Sequence, residues 1–211
     1  MAFPFLTIFI IFVLLLAFRY SSLKKKTSEK YNDFWGNEAK ANNTPAVDLS
    51  TLDYLKVPLS KFPFGKWEDD EMQMMESQIT ELAEKRILNL SGKTNTDLKL
   101  EYGTANLEAM TEIGENFNTL IVLLVDYAKA LMEKDDMEEA AKILEYGASI
   151  RSDISSNYML LGDCYVALGQ TKKIPIIRAQ VESMDLLLGH KITSYLDELI
   201  EKNTPEDFSL S

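Results

Sequence analysis

Any chemistry in this 211-residue chain would have to start from one cysteine, Cys164, one histidine, His190, and a surplus of carboxylates, with 33 Asp and Glu against 22 Lys and Arg. Cys164 stands beside Gly162 and Tyr165 on what reads as the packed face of a helix, which makes it a core thiol rather than a nucleophile. A lone histidine is not a ligand set, and His190 reads as a surface or helix-end residue. The acidic runs Glu68-Asp69-Asp70, Asp135-Asp136 and Glu138-Glu139 fit turns and solvated first helical turns, where the helix dipole favours negative charge. No glycine-rich loop could cradle a phosphate, no histidines recur at metal spacing, and no serine sits in a strand–turn–helix elbow. Asn42-Asn43-Thr44 and Asn89-Leu90-Ser91 match a glycosylation pattern that is common by chance. The sequence assigns no catalytic residue, no metal and no cofactor, and the expectation is a protein that is not an enzyme. A single cysteine also makes no internal disulfide, which fits a reducing compartment.

The elements that position these residues begin at the N-terminus. No side chain from Met1 to Phe18 is charged, and Arg19, Lys24, Lys25 and Lys26 follow. The apolar run Phe3–Phe18 falls just short of the roughly 17–25 residues of a spanning helix, and Arg19 and Tyr20 extend it into range by snorkelling. Nothing basic precedes the run and Phe18-Arg19-Tyr20 is a poor cleavage site, so residues 1–20 read as an uncleaved transmembrane anchor. With Arg19 and Lys24 to Lys26 on its C-terminal flank, the positive-inside rule predicts a single-pass cell-membrane protein whose C-terminal domain is cytoplasmic. Charge divides along the chain: residues 1–66 hold nine basic and five acidic residues, whereas 67–211 hold 13 and 28. The basic part suits contact with membrane lipid, and the acidic part would be repelled by phosphates, which excludes nucleic acid as a partner class.

Residues 21–47 read as a polar juxtamembrane linker with a short helix around Glu29–Ala41. Phe34 and Trp35 are out of place in a free linker, and either lie at the membrane interface or dock on the domain. Residues 48–66 contain Pro58 and Pro63, which forbid a long helix and favour extended backbone before each. Their apolar content (Leu49, Leu52, Leu55, Val57, Leu59, Phe62, Phe64) predicts a segment that docks on the helices. From Asp69 onward apolar residues recur at three and four. The spacing predicts helices over Glu71–Leu90, Asp97–Asn116, 119–133, 137–150, 156–168, 171–187 and 191–202, within a helical domain over 67–204 and ahead of a tail over 205–211. Gly92 is the stop signal of the first, and Pro175 falls in a first turn, where its missing N–H costs little.

Two of these helix pairs are self-similar at a fixed period, the separation of Leu124 from Tyr158. Leu124 aligns with Tyr158, Tyr127 with Leu161, Ala128 with Gly162, and Leu131 with Tyr165, while Ala140, Leu144 and Gly147 fill the second helix of the first pair. This pattern over 121–188 resembles the tetratricopeptide repeat (TPR), a helix–turn–helix of the same period. Ile174 and Arg178 depart from it, where Ala and a large apolar residue are usual. The linker and Pro-interrupted segment are similar to those of membrane-anchored TPR proteins of uncharacterised function in Gram-positive bacteria. The resemblance implies an all-α fold: a single N-terminal transmembrane helix followed by a TPR-like helical-hairpin repeat domain of about seven helices, in which Ala128 and Gly162 let paired helices approach closely. Residues 71–116 would supply a divergent first pair and 191–202 a cap.

The same resemblance implies that the first helix of each pair lines a concave groove, here Val122, Val125, Lys129 and Met132, then Met159, Asp163 and Val166. That groove is mainly apolar and lacks the Lys, Asn and Arg cluster with which TPR domains clamp a peptide carboxylate. The expected function is a non-enzymatic membrane-anchored adaptor or scaffold that binds a protein partner. The alternative is an exported cell-envelope helical domain whose N-terminus serves as signal or anchor.

Overall fold

The computed structural model describes residues 9, 11–13, 15, 16, 19 and 33–203. The anchor predicted over 1–20 lies largely outside the described residues, and residues 21–32 of the linker predicted over 21–47 and the tail over 205–211 lie wholly outside them. Among the described residues no helix is long and apolar enough to cross a membrane. The described chain is all-helical, with no strand. Its helices are α1 (33–42), α2 (Asp70–Ala83), α3 (Asn95–Tyr102), α4 (Leu107–Glu133), α5 (Met137–Ser149), α6 (Ser155–Ala167), α7 (Ile174–Glu182) and α8 (Gly189–Asn203). Contacts divide the chain into two units, one of residues 1–50 and 93–110, the other of 51–92 and 111–211.

In the first unit, α3 begins with a reciprocal cap. The Thr94 hydroxyl accepts from the Asp97 amide at 3.2 Å, and the Asp97 carboxylate accepts from the Thr94 amide at 2.8 Å, satisfying two of the donors a helix start leaves open. α1 docks on α3 through polar contacts. Glu38 accepts from Thr96 Oγ1 at 2.7 Å and from the Lys99 ammonium, and Lys99 also donates to Asn42 Oδ1 at 2.9 Å. Gly103 ends α3 at φ 87°, and a Cβ there would lie 2.3 Å from the Pro45 carbonyl oxygen. Only glycine satisfies both the left-handed turn and this approach. The sequence predicts one helix over Asp97–Asn116. The chain instead breaks at Gly103, and α4 then runs unbroken through the predicted gap at residues 117 and 118. The Asn116-Phe117-Asn118 stretch does not interrupt it because Phe117 and Leu120 are fully buried and the Asn116 amide donates outward to the Arg86 carbonyl at 3.1 Å.

In the second unit, Asp69 caps α2 by accepting from the Met72 amide at 3.1 Å, and Met72, Met75, Ile79 and Leu82 form its buried stripe. The helix stops at Ala83 rather than Leu90, because residues 84–92 turn Ile87 and Leu90 into the core as irregular chain. Side chains and backbone take the polar groups this exposes. Leu55 N donates to the Ile87 carbonyl at 2.9 Å, and the Asn89 amide reaches the Ile150 carbonyl at 3.1 Å.

Residues 55–67 lie across α4 and α5. Phe62 is buried, with Leu55, Val57, Leu59, Phe64 and Trp67 packed against the same core. Phe64 meets Tyr127 edge-on at 5.4 Å, and Phe62 meets Tyr146 at the same distance. The two tyrosine hydroxyls bond the segment's backbone, Tyr127 to Pro63 O at 3.4 Å and Tyr146 to Lys56 O at 3.5 Å. Lys66 ends the segment in an ion pair with Asp136 at 2.6 Å, and Trp67 Nε1 donates to the same carboxylate at 3.3 Å. Replacing Phe62 with Ala should destabilise the protein by about 3 kcal/mol or more, against a few tenths for Lys56→Ala, read as urea midpoints. Equal midpoints would show that the segment carries no packing energy.

Burial works against the charge on Asp136, but the Lys66 ammonium and the Trp67 N–H outweigh it and hold the carboxyl below its ordinary 3.8. A carboxyl lowered by folding contributes stability that is in place above its unfolded value and is lost as the pH falls through the folded one. Asp136→Asn should therefore lower the urea midpoint at about pH 7 and narrow the gap between wild type and variant at about pH 3. A gap of the same size at both values would remove the ion pair as its cause.

Candidate partner-binding surface

The hairpins α4–α5 and α6–α7 repeat one backbone feature at the period read from the sequence. Asp135 (φ 61°) and Gly169 (φ 66°) take the left-handed conformation after the first helix of each pair. The next amide then closes the turn, Asp136 N to Leu131 O at 2.9 Å and Gln170 N to Tyr165 O at 2.7 Å. Such a turn satisfies carbonyls the helix end leaves open. Burial follows the same period. Tyr127, Ala128, Leu131 and Ala140 are fully buried in one hairpin, and Leu161, Gly162, Tyr165 and Ile174 are buried in the other. Arg178 replaces the expected apolar residue, and it binds outward, its Nη2 to Asp197 Oδ2 of α8 at 3.1 Å and its Nη1 to Glu182 at 2.9 Å.

Two glycines mark where helices come closest. A Cβ on Gly147 of α5 would lie 2.2 Å from Asn157 Oδ1 of α6. Asn157 is fully buried and donates to the Leu144 carbonyl at 3.1 Å. A Cβ on Gly162 would lie 2.8 Å from Leu196 Cδ2 and 2.9 Å from Leu199 Cδ1. The sequence places Gly162 against its own hairpin partner, but the helix that uses the gap is α8. α6 thus packs on α5 along one side and on α8 along another.

That packing decides which predicted groove residues stay open. Val122, at 48% exposure, and Lys129 are exposed, the latter paired with Asp126 at 2.8 Å. Val125 is 3% exposed and belongs to the core, so the sequence reading that put it on the groove is corrected. On the same helix Tyr127 also reaches Glu76 of α2 at 2.8 Å. Met132, Met159 and Val166 are half-buried against the core. Asp163 is half-buried and accepts from Tyr195 Oη of α8 at 2.6 Å. Of the membrane-flanking residues Arg19 is exposed, and Lys24, Lys25 and Lys26 lie outside the described residues.

Of Cys164 and His190, the first is closed to solvent and the second is exposed. Cys164 is fully buried, and desolvation pushes its thiol up to about 11, so it is protonated at neutral pH. His190 lies in the first turn of α8, with Nδ1 2.9 Å from Ser194 Oγ. Among the described residues no three His, Cys, Asp or Glu side chains converge to hold a metal ion. The contacts that bind the second unit together, Asp136 with Lys66 and Trp67, Asn157 over Gly147, and Arg178 with Asp197, left little mark in the sequence. Only the clustered opposite charges hinted at them, and charge clusters are common on any helical surface. The residues define an all-α protein with two stacked helical hairpins. Compared with protein-family models, curated proteins and solved structures, the chain matches none.

Alanine gains roughly 1 kcal/mol over glycine inside a helix. At Gly162 the obstructing atoms are the ends of two flexible leucines, so Gly162→Ala should be near neutral. At Gly147 the obstacle is a buried, hydrogen-bonded amide, so Gly147→Ala should cost about 1–3 kcal/mol despite the gain. Denaturant titration of the two variants ranks them, and the reverse order would refute this account of the α5–α6 contact.

Proposed function

We propose that this protein is a non-enzymatic, membrane-anchored adaptor of TPR-like construction that holds a protein partner at the cytoplasmic face of the cell membrane. The observation that carries the reading is the return, at one period, of both the buried positions and the left-handed turn in α4–α5 and α6–α7. Stacked hairpins of this kind present a rigid side-chain surface rather than reactive groups, and the function such a surface serves is binding. Of the groove positions, Val122 and Lys129 on α4 are the exposed ones. The uncharged stretch from Met1 to Phe18 and the basic flank after it support the anchor and its orientation.

A photo-cross-linking side chain at position 122 in the full-length protein should capture a protein in the membrane fraction. The same group at exposed Glu138 on α5 should capture none. Equal yields from both positions would sink the surface, and cleavage of the domain by protease added outside wall-stripped cells would sink the cytoplasmic assignment in favour of an exported domain.

A further inference from the structure

The first unit shows two aromatic rings at its surface. Phe34 is 56% and Trp35 is 52% exposed, and the rings meet edge-on with centroids 5.4 Å apart. Removing either from water would be favourable. The next turn of α1 docks on α3. Ala41 is fully buried, its carbonyl accepts from Thr104 Oγ1 at 2.9 Å, and Glu38 is held by α3. Phe34 lies one turn before Glu38 on the same stripe and extends past that contact.

We propose that Phe34 and Trp35 form a lipid-contacting edge of α1 that sits in the headgroup region of a bilayer. Aromatic side chains with one apolar body concentrate at that depth, and indole in particular offers an N–H to the wet side and a ring to the acyl side. The chain ahead of the edge points to the same surface. Five basic residues, Arg19, Lys24, Lys25, Lys26 and Lys30, lie between the apolar run and Phe34, and each gains attraction near anionic lipid. The chain from Phe18 to Phe34 is short, so even fully stretched it keeps α1 within roughly 55 Å of the end of the apolar run. Charge permits the approach: the unit containing α1 holds eight basic and seven acidic residues, whereas the other holds 14 and 26.

The inference rests on the membrane-anchored reading, and one experiment separates their failures. The full-length chain is reconstituted into phosphatidylcholine–phosphatidylglycerol vesicles brominated either near the headgroup or deep in the acyl chain. The Trp35 signal is the difference between wild type and Trp35→Phe, and the Trp67→Phe variant, in which Trp35 is the sole tryptophan, reads it directly. Shallow bromines should quench Trp35 by roughly twofold or more, and deep bromines much less, as expected for an interfacial indole. A chain that floats with the vesicles while Trp35 stays unquenched overturns the lipid edge and leaves the anchor standing. That result would assign the rings to a protein contact. A chain that does not float overturns the anchor, and this inference with it.

Discussion

Asn157 lies over Gly147 with its amide oxygen where a methyl group would otherwise be. The contact fixes how near α6 comes to α5, and therefore how one hairpin stacks on the next. It is bought at some cost, because among the described residues Asn157 Oδ1 is buried without a hydrogen-bond partner, and a buried acceptor left unpaired is unfavourable. The amide recovers part of that through its bond to the Leu144 carbonyl one turn earlier on α5. Everything C-terminal inherits the spacing. α7 follows from the turn at Gly169, and α8 then fills the gap above Gly162 with Leu196 and Leu199.

The period of the repeat was legible because it is written in residue size. Tyr127, Ala128 and Leu131 recur as Leu161, Gly162 and Tyr165, and all are buried. Helix boundaries were legible only where a local signal acted alone. Gly169 announces its turn, but Asp135 takes the same left-handed backbone without the glycine that would have given it away. Gly92 suggested the end of α2, yet the helix stops well before it at Ala83, since Ile87 and Leu90 reach the core better from irregular chain than from a continued helix. The break at Gly103 needed knowledge of a distant segment, because only the Pro45 carbonyl pressed against it makes its conformation obligatory. Of the groove, the exposed positions 122 and 129 follow from helical phase alone. Val125 is lost to the core, and Asp163 is lost to Tyr195 of α8, a helix that no pattern within the repeat could supply.

Much of the second unit's surface is occupied by its own chain. Residues 55–67 lie across α4 and α5 through edge-on rings and carbonyls held by Tyr127 and Tyr146, and α8 covers one side of α6. Both interactions use chemistry that a peptide partner would use, an apolar Pro-containing segment in one case and an amphipathic helix in the other.

The long reach of the Pro-containing segment also sets the order of events during synthesis. Tyr146 bonds to Lys56 across 90 residues, and Trp67 to Asp136 across 69. Helical hairpins close over short loops and form early, whereas contacts this distant in sequence wait for the chain between them. Leu55, Val57, Leu59, Phe62 and Phe64 therefore leave the ribosome well before the helices that cover them exist. For that interval the nascent chain carries a bare apolar segment, and its solubility then depends on the two prolines that keep it out of β-pairing.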